Sequence, residues 1–156
     1  MGIPRRGERL SDPSGLPKAE FGFPRTDLRR RLVEAILRGE KTATAGLLVD
    51  YERDGEAVGV PGDRSVVIDA EDREVAIIEI TAIEVRRMAD VDLQFARDEG
   101  EGFESVADWR AAHDAFFGSY LEDIRRDLED PEWSLTDDTM VVCERFRLVE
   151  VLAAVD

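Results

Sequence analysis

At 156 residues, 43% apolar and with a single cysteine, the chain has the size and composition of one globular domain and cannot close an internal disulfide. Its formal charge of -15 excludes broad, sequence-blind binding to nucleic acid, which depends on neutralising phosphates. Residues 1–31 carry eight Lys/Arg against four Asp/Glu, a net of +4, so the remainder carries -19 and is an acidic, well-solvated surface.

Residues 1–18 lack a signal-peptide core, and no later apolar run approaches the roughly 20 residues of a membrane span. The reading is a cytoplasmic protein with no membrane partner. Residues 1–20 are rich in Pro, Gly and charge and read as a flexible lead-in to a domain over 21–156. Phe21, Phe23 and Pro24 dock it to the body. Thr26 or Asp27 caps a helix over 27–38, with Leu28, Leu32, Val33, Ile36 and Leu37 on one face. The run Arg29-Arg30-Arg31 is either a phosphate contact or a solvated helix face. Gly39 ends the helix, because glycine accepts the left-handed conformation.

Residues 45–54 fit a strand or a helical turn. Pro61-Gly62-Asp63 is a turn, 65–68 a strand, 70–73 a polar turn and 75–85 a longer strand, which predicts a hairpin. A short helix runs from near Asp90 to Asp98. Ser105, with Asp108 three residues on, caps a longer helix whose apolar stripe is Trp109, Ala112, Phe116 and Phe117. Residues 128–138 read as an acidic loop and 139–151 as a closing strand. Strands outside, helices between and a returning C-terminal strand predict an α+β domain with a small mixed β-barrel.

Three places carry chemistry. Lys41 and Thr44 follow the first helix; a lysine can activate a hydroxyl or oppose an oxyanion, and the competing reading is a surface lysine at a helix end. Glu99 and Glu101 sit in a glycine-punctuated loop, Glu99-Gly100-Glu101-Gly102, where glycines let backbone approach a ligand and two carboxylates can divide acid and base roles. The alternative is an exposed acidic loop. His113 shares a helix face with Trp109 and is either a packed, hydrogen-bonded histidine or part of a site. Cys143, within Met140-Val141-Val142-Cys143, reads as a buried thiol. One His and one Cys thirty residues apart do not make a zinc site, and no phosphate-cradling glycine loop is present, so no metal or cofactor is expected.

These residues are also where the chain resembles the ASCH-domain proteins of the PUA-like superfamily, in their longer bacterial form. The resemblance rests on Gly39-x-Lys41-x-x-Thr44, on Gly62-Asp63 and the hairpin after it, and on Phe95-Ala96-x-x-Glu99-Gly100-Glu101-Gly102. Trp109-Arg110-x-x-His113-x-x-Phe116-Phe117 and Val142-Cys143-x-x-Phe146 complete it, over about residues 21–151. It implies a β-barrel with helices around a cleft, and a nucleoside or RNA-derived ligand. Some family members hydrolyse the amide of N(4)-acetylcytidine. Carried over, Thr44 is the nucleophile, Lys41 its activator and Glu99 a further acid or base.

The expectation is therefore a domain that binds a nucleoside or RNA, with Lys41, Thr44 and Glu99 catalytic and Thr42, Glu101, Arg110 and His113 binding substrate. Its reaction is amide hydrolysis on an N-acylated pyrimidine nucleoside. Two alternatives are a metal-independent ribonuclease and a non-catalytic RNA-binding module; the net charge favours a small ligand over a long polyanion and leaves open a local basic groove built from Arg25, Arg29, Arg30, Lys41 and Arg110.

Overall fold

The computed structural model describes residues 15–152, and three of its helices begin where the sequence supplies a capping oxygen. Thr26 Oγ1 accepts from Arg29 N at 3.1 Å and opens α1 (Asp27–Leu37). The ambiguous stretch after it divides into strand β2 (Ala43–Leu47) and helix α2 (Leu48–Asp54). Asp92 accepts from Phe95 N at 2.8 Å ahead of α3 (Leu93–Asp98). Ser105 accepts from Asp108 N at 3.0 Å ahead of α4 (Val106–Gly118). Each bond satisfies an N–H that the first helical turn leaves over.

The remaining elements are β1 (Lys18–Ala19), β3 (Arg64–Ile68), β4 (Glu74–Arg87), α5 (Leu121–Leu128) and β5 (Met140–Val151). Two of them depart from the sequence expectation. β1 pairs parallel with β3, Lys18 opposite Val66, so residues 18 and 19 belong to the sheet rather than to a flexible lead-in. Residues 1–14 of that expected lead-in lie outside the described residues. Helix α5 buries Ile124 and precedes the acidic loop.

The sheet runs β1-β3-β4-β5-β2, antiparallel except at β1. Register shifts at Ile77/Ile78 and Ile80/Ala82 in β4, and at Val67/Ile68 in β3, mark bulges, which bend and twist a strand. The α+β class is as expected. The sheet, however, stays open: β1 and β2 are its two edges, and no pairing joins them among the described residues. It is barrel-like in curvature, not a closed barrel.

Side chains alternate between sheet faces, so each strand feeds two cores. Ala43, Ala45 and Leu47 of β2, with Val141 and Cys143 of β5, meet Phe95, Trp109, Phe117 and Ile124. Phe146, Ile78 and Val67 face the other way and meet Phe21, Leu32, Val33 and Ile36 under α1. Thr44, between Ala43 and Ala45, belongs to the α1 side by the same alternation. Among the described residues no helix is long and apolar enough to cross a membrane.

Candidate active site

The site is assembled by a close approach of two backbone segments. After α1, Gly39 takes φ +77°, and the N–H groups of Glu40 and Lys41 turn back to Ala35 O at 2.9 and 3.1 Å. After α3, Gly100 takes φ +69° and lies directly on this turn. A Cβ at position 100 would come within 2.5 Å of Glu40 O and 2.7 Å of Lys41 Cα. Only glycine fits there. Thr42 N donates to Asp98 O at 2.8 Å and locks the same junction. Glu99 and Glu101, on either side of Gly100, are thereby brought to Lys41.

Lys41 is 1% exposed and Glu99 and His113 are 0% exposed. Lys41 Nζ donates to Ala43 O at 2.8 Å and to Glu99 O at 3.2 Å. It lies 3.6 Å from Glu99 Oε1, 3.5 Å from Glu101 Oε2 and 5.9 Å from the Phe21 ring centre. Every polar neighbour of the ammonium accepts, so Lys41 acts here as a donor and a positive charge. A buried lysine without such partners would not persist charged.

Helix α4 supplies the other wall. Trp109 Nε1 donates to Glu99 Oε2. Trp109 and His113, one turn apart, stack with ring centres 4.1 Å apart. His113 Nδ1 lies 2.8 Å from Trp109 O. A carbonyl only accepts, so Nδ1 carries a proton. His113 Nε2 faces Glu99 Oε2 at 3.1 Å.

Burial alone would raise the Glu99 carboxyl, but the charges of His113 and Lys41 outweigh it and hold the group well below the usual range, at about 2. Two buried polar atoms at the centre, Glu99 Oε1 and His113 Nε2, lack a formed hydrogen bond among the described residues.

The sequence-derived residues divide as follows. Lys41, Glu99, Glu101 and His113 come together. Thr44 is fully buried on β2, opposite Glu144 in the ladder, on the α1 side to which Lys41 also reaches through Phe21. Two expected substrate-binding residues lie elsewhere. Thr42 is exposed, with its hydroxyl 3.4 Å from Asp98 O, so it holds the junction from outside. Arg110 sits a third of a helical turn from Trp109, and it is held by Asp114 at 3.0 Å and Asp137 at 2.8 Å. The cations of the local basic groove that the charge leaves open are each ion-paired. Arg25 is paired with Asp72, Arg29 with Glu20, Arg30 with Asp27, and Lys41 and Arg110 as described. Trp109, a direct partner of Glu99, is missing from the expected site residues; its four-residue spacing from His113 is the signal that points to it.

Glu99, Glu101 and His113 offer three ligand atoms within 4.8 Å of one another, as a cation site would. The Lys41 ammonium already stands at both carboxylates and supplies the positive charge a metal would bring. Cys143 is buried, and burial pushes its thiol up to about 12, with the Glu99 charge adding to it, so it is no nucleophile.

The model of the ASCH domain matches residues 20–150. The chain belongs to the ASCH domain family. Its fold is PUA-like, as in solved relatives. An ASCH domain from Lactobacillus crispatus is 30% identical, with a TM-score of 0.71, over 84% of this chain and 77% of that one. A protein from Enterococcus faecalis is 26% identical, with a TM-score of 0.74, over 85% and 75%. No curated protein matches.

Proposed function

We propose that this ASCH domain is a metal-independent hydrolase that cleaves the amide of an N-acylated pyrimidine nucleoside, N(4)-acetylcytidine being the simplest probe. The observation that carries this reading is the buried Glu99 carboxylate, kept ionised by Lys41 and His113 with Oε1 lacking a formed hydrogen bond. Thr44 Oγ1 attacks the acyl carbon and gives its proton to Glu99. Lys41 opposes the negative charge that develops on the carbonyl oxygen. As the C–N bond breaks, Glu99 returns the proton to the leaving amine and cytidine departs. Water then hydrolyses the acyl ester on Thr44. His113 and Trp109 fix the Glu99 oxygen that does not carry the proton.

Amide hydrolysis is favoured over RNA cleavage by the pairing of the cations. A polyanion needs a row of uncommitted Lys and Arg, whereas Arg25, Arg29, Arg30, Lys41 and Arg110 each face a carboxylate.

The test is conversion of N(4)-acetylcytidine to cytidine by purified protein with a chelator present. Thr44→Ala and Lys41→Met should each lower turnover about a hundred- to a thousand-fold. Glu99→Gln should lower it about a hundred- to ten-thousand-fold. No turnover by wild type, or turnover that survives Thr44→Ala and Glu99→Gln, overturns the reading. RNA cleavage that disappears in Lys41→Met would replace it with the ribonuclease.

A further inference from the structure

Glu99, Glu101 and His113 have a property that the hydrolytic reading leaves unused. One imidazole and two carboxylates are the ligand types of a borderline transition-metal ion, and together they balance a dication. One ligand atom from each lies within 4.8 Å of the others. Exposed acidic groups often gather without a metal, but Glu99 and His113 are 0% exposed. Neither Glu99 Oε1 nor His113 Nε2 makes a hydrogen bond among the described residues, so a cation can reach both without breaking one.

The outer contacts are those of ligands. A metal-bound histidine donates its second ring N–H, most often to a carbonyl or carboxylate, which fixes the tautomer and turns the other nitrogen to the ion. His113 Nδ1 lies 2.8 Å from Trp109 O, which leaves Nε2 toward Glu99. The Glu99 carboxylate is held in turn by Trp109 Nε1 at Oε2, an oxygen with lone pairs for a donor and an ion together. Two ligand atoms each about 2.0–2.1 Å from zinc, at angles between octahedral and tetrahedral, stand about 2.8 to 3.4 Å apart. His113 Nε2 and Glu99 Oε2 are 3.1 Å apart. Two atoms on one such ion are at most about 4.2 Å apart, so Glu101 closes the set by moving less than about 1 Å.

Glu101 also provides the way in. Its side chain is 10% exposed. With Gly100 and Phe103 it lines an open cleft of about 410 Å³ under α1. The Phe103 ring stands 5.8 Å from the His113 ring. The opposing element is Lys41, whose ammonium lies 3.6 Å from Glu99 Oε1 and 3.5 Å from Glu101 Oε2. A dication on the same oxygens meets that like charge.

We propose that Glu99, Glu101 and His113 form an inhibitory site for a transition-metal dication of the zinc type, which competes with the Lys41 ammonium for the two carboxylates. The ion takes the carboxylate on which the hydrolytic reading depends. Metal binding stands on the geometry alone, while inhibition rests on that reading. Because Nε2 binds only through its lone pair, a proton there competes with the metal.

Calorimetric titration of the metal-free full chain with zinc chloride tests it, on wild type, His113→Gln, Glu101→Gln and Lys41→Met, with thermal melting to check each fold. His113 is the only histidine in the chain, so its loss localises the site. Wild type should bind one zinc per chain and melt higher with it. His113→Gln and Glu101→Gln should each weaken binding at least about ten-fold. Lys41→Met should tighten it about ten-fold, because the opposing charge is gone. Zinc at ten times its dissociation constant should lower N(4)-acetylcytidine turnover about ten-fold, and a chelator should restore it. No zinc binding, or binding indifferent to both His113→Gln and Glu101→Gln, overturns the site. Weaker binding in a folded Lys41→Met overturns the competition, and turnover unaffected by bound zinc overturns the inhibition. If zinc binds with the expected pattern and metal-free protein cleaves no N(4)-acetylcytidine, the metal site stands and the hydrolase falls. Metal-free turnover by a chain that binds no zinc leaves the hydrolase and removes the metal.

Discussion

Among the described residues a lysine and an arginine are buried, and their burial is compensated differently. Lys41 is surrounded by acceptors: two backbone carbonyls and the carboxylates of Glu99 and Glu101. Arg29 has two carbonyls and Glu20, and keeps one nitrogen without an acceptor among the described residues. Desolvation costs both of them several kcal/mol, by general estimates about 20 in the idealised limit. The fully engaged ammonium offsets that cost through fixed partners, which makes a rigid electrostatic centre. The incompletely engaged guanidinium leaves one buried nitrogen uncompensated. The contrast separates a charge whose burial is compensated by fixed acceptors from one whose burial is compensated only in part.

The comparison breaks most readily at Lys41. Lys41→Met leaves Glu99 and Glu101 facing one another with their cation gone, and breaking a buried pair in this way costs about 3–5 kcal/mol. Chemical denaturation should show a loss of that size, partly restored by adding Glu99→Gln. A loss below about 1 kcal/mol would mean the pair is solvated and worth no more than a surface one.

Acid probes the same centre from the other side. The Glu99 carboxyl is lowered from its ordinary 4.5 to about 2, because His113 and Lys41 outweigh the burial that would raise it. A depressed acid contributes stability that is present above its unfolded value and is lost as pH falls through the folded one. The domain should therefore lose stability between about pH 4.5 and 2, by about 3 kcal/mol from this group. Glu99→Gln should flatten that part of the stability profile, and an unchanged slope would assign acid sensitivity to other carboxylates.

Gly100→Ala sharpens the account of how the centre is assembled. The added Cβ meets Glu40 O at 2.5 Å, with backbone on both sides, and φ is +69°. Overpacking and left-handed strain together should cost about 2–3 kcal/mol. Turnover should fall as well, because Glu99 and Glu101 are displaced from Lys41. Gly39→Ala is the control: its φ is +77°, but nothing lies within 4 Å of an added Cβ. It should cost about 1 kcal/mol from strain alone.

Much of this was legible in the residues, and the parts that were not have physical reasons. Capping oxygens at Thr26 and Ser105 and the 75–85 strand pattern are local signals, and each corresponds to an element. That Trp109 and His113 share a face follows from helical spacing. What they share it with, Glu99, depends on a long-range packing that spacing does not encode. The glycine in Glu99-Gly100-Glu101 suggested a backbone approaching a ligand; it approaches the chain's own Glu40–Lys41 turn. Of the three arginines at 29–31, Arg29 is buried and Arg30 and Arg31 are exposed. Arg29 lies three, four and seven residues before Leu32, Val33 and Ile36, so the helical period placed it inward, although its charge argued for solvent. Helix α5 was missed because eight residues carry only Leu121, Ile124 and Leu128 as apolar anchors. Strand β1 was missed because two residues have no periodicity.

The smallest expected effect is at Arg110, and its smallness is informative. Its guanidinium bridges Asp114 and Asp137, whose side chains are 42% and 73% exposed, against 26% for its own. Solvent screens such pairs, and the ordering of long side chains cancels much of the gain, so exposed ion pairs contribute about 0–1 kcal/mol. Arg110→Ala should shift stability by no more than that in chemical denaturation. It should also leave N(4)-acetylcytidine turnover within about two-fold, because its ion-pair partners among the described residues are Asp114 and Asp137 rather than Glu99 or Glu101; a two-fold change is about 0.4 kcal/mol. The same number of ion-pair contacts thus has opposite consequences at positions 41 and 110, and burial is the variable that separates them. A ten-fold loss of turnover in Arg110→Ala would show that the 134–138 loop moves Arg110 onto the site. Its pairing with Asp137 would then be a resting arrangement rather than a surface contact.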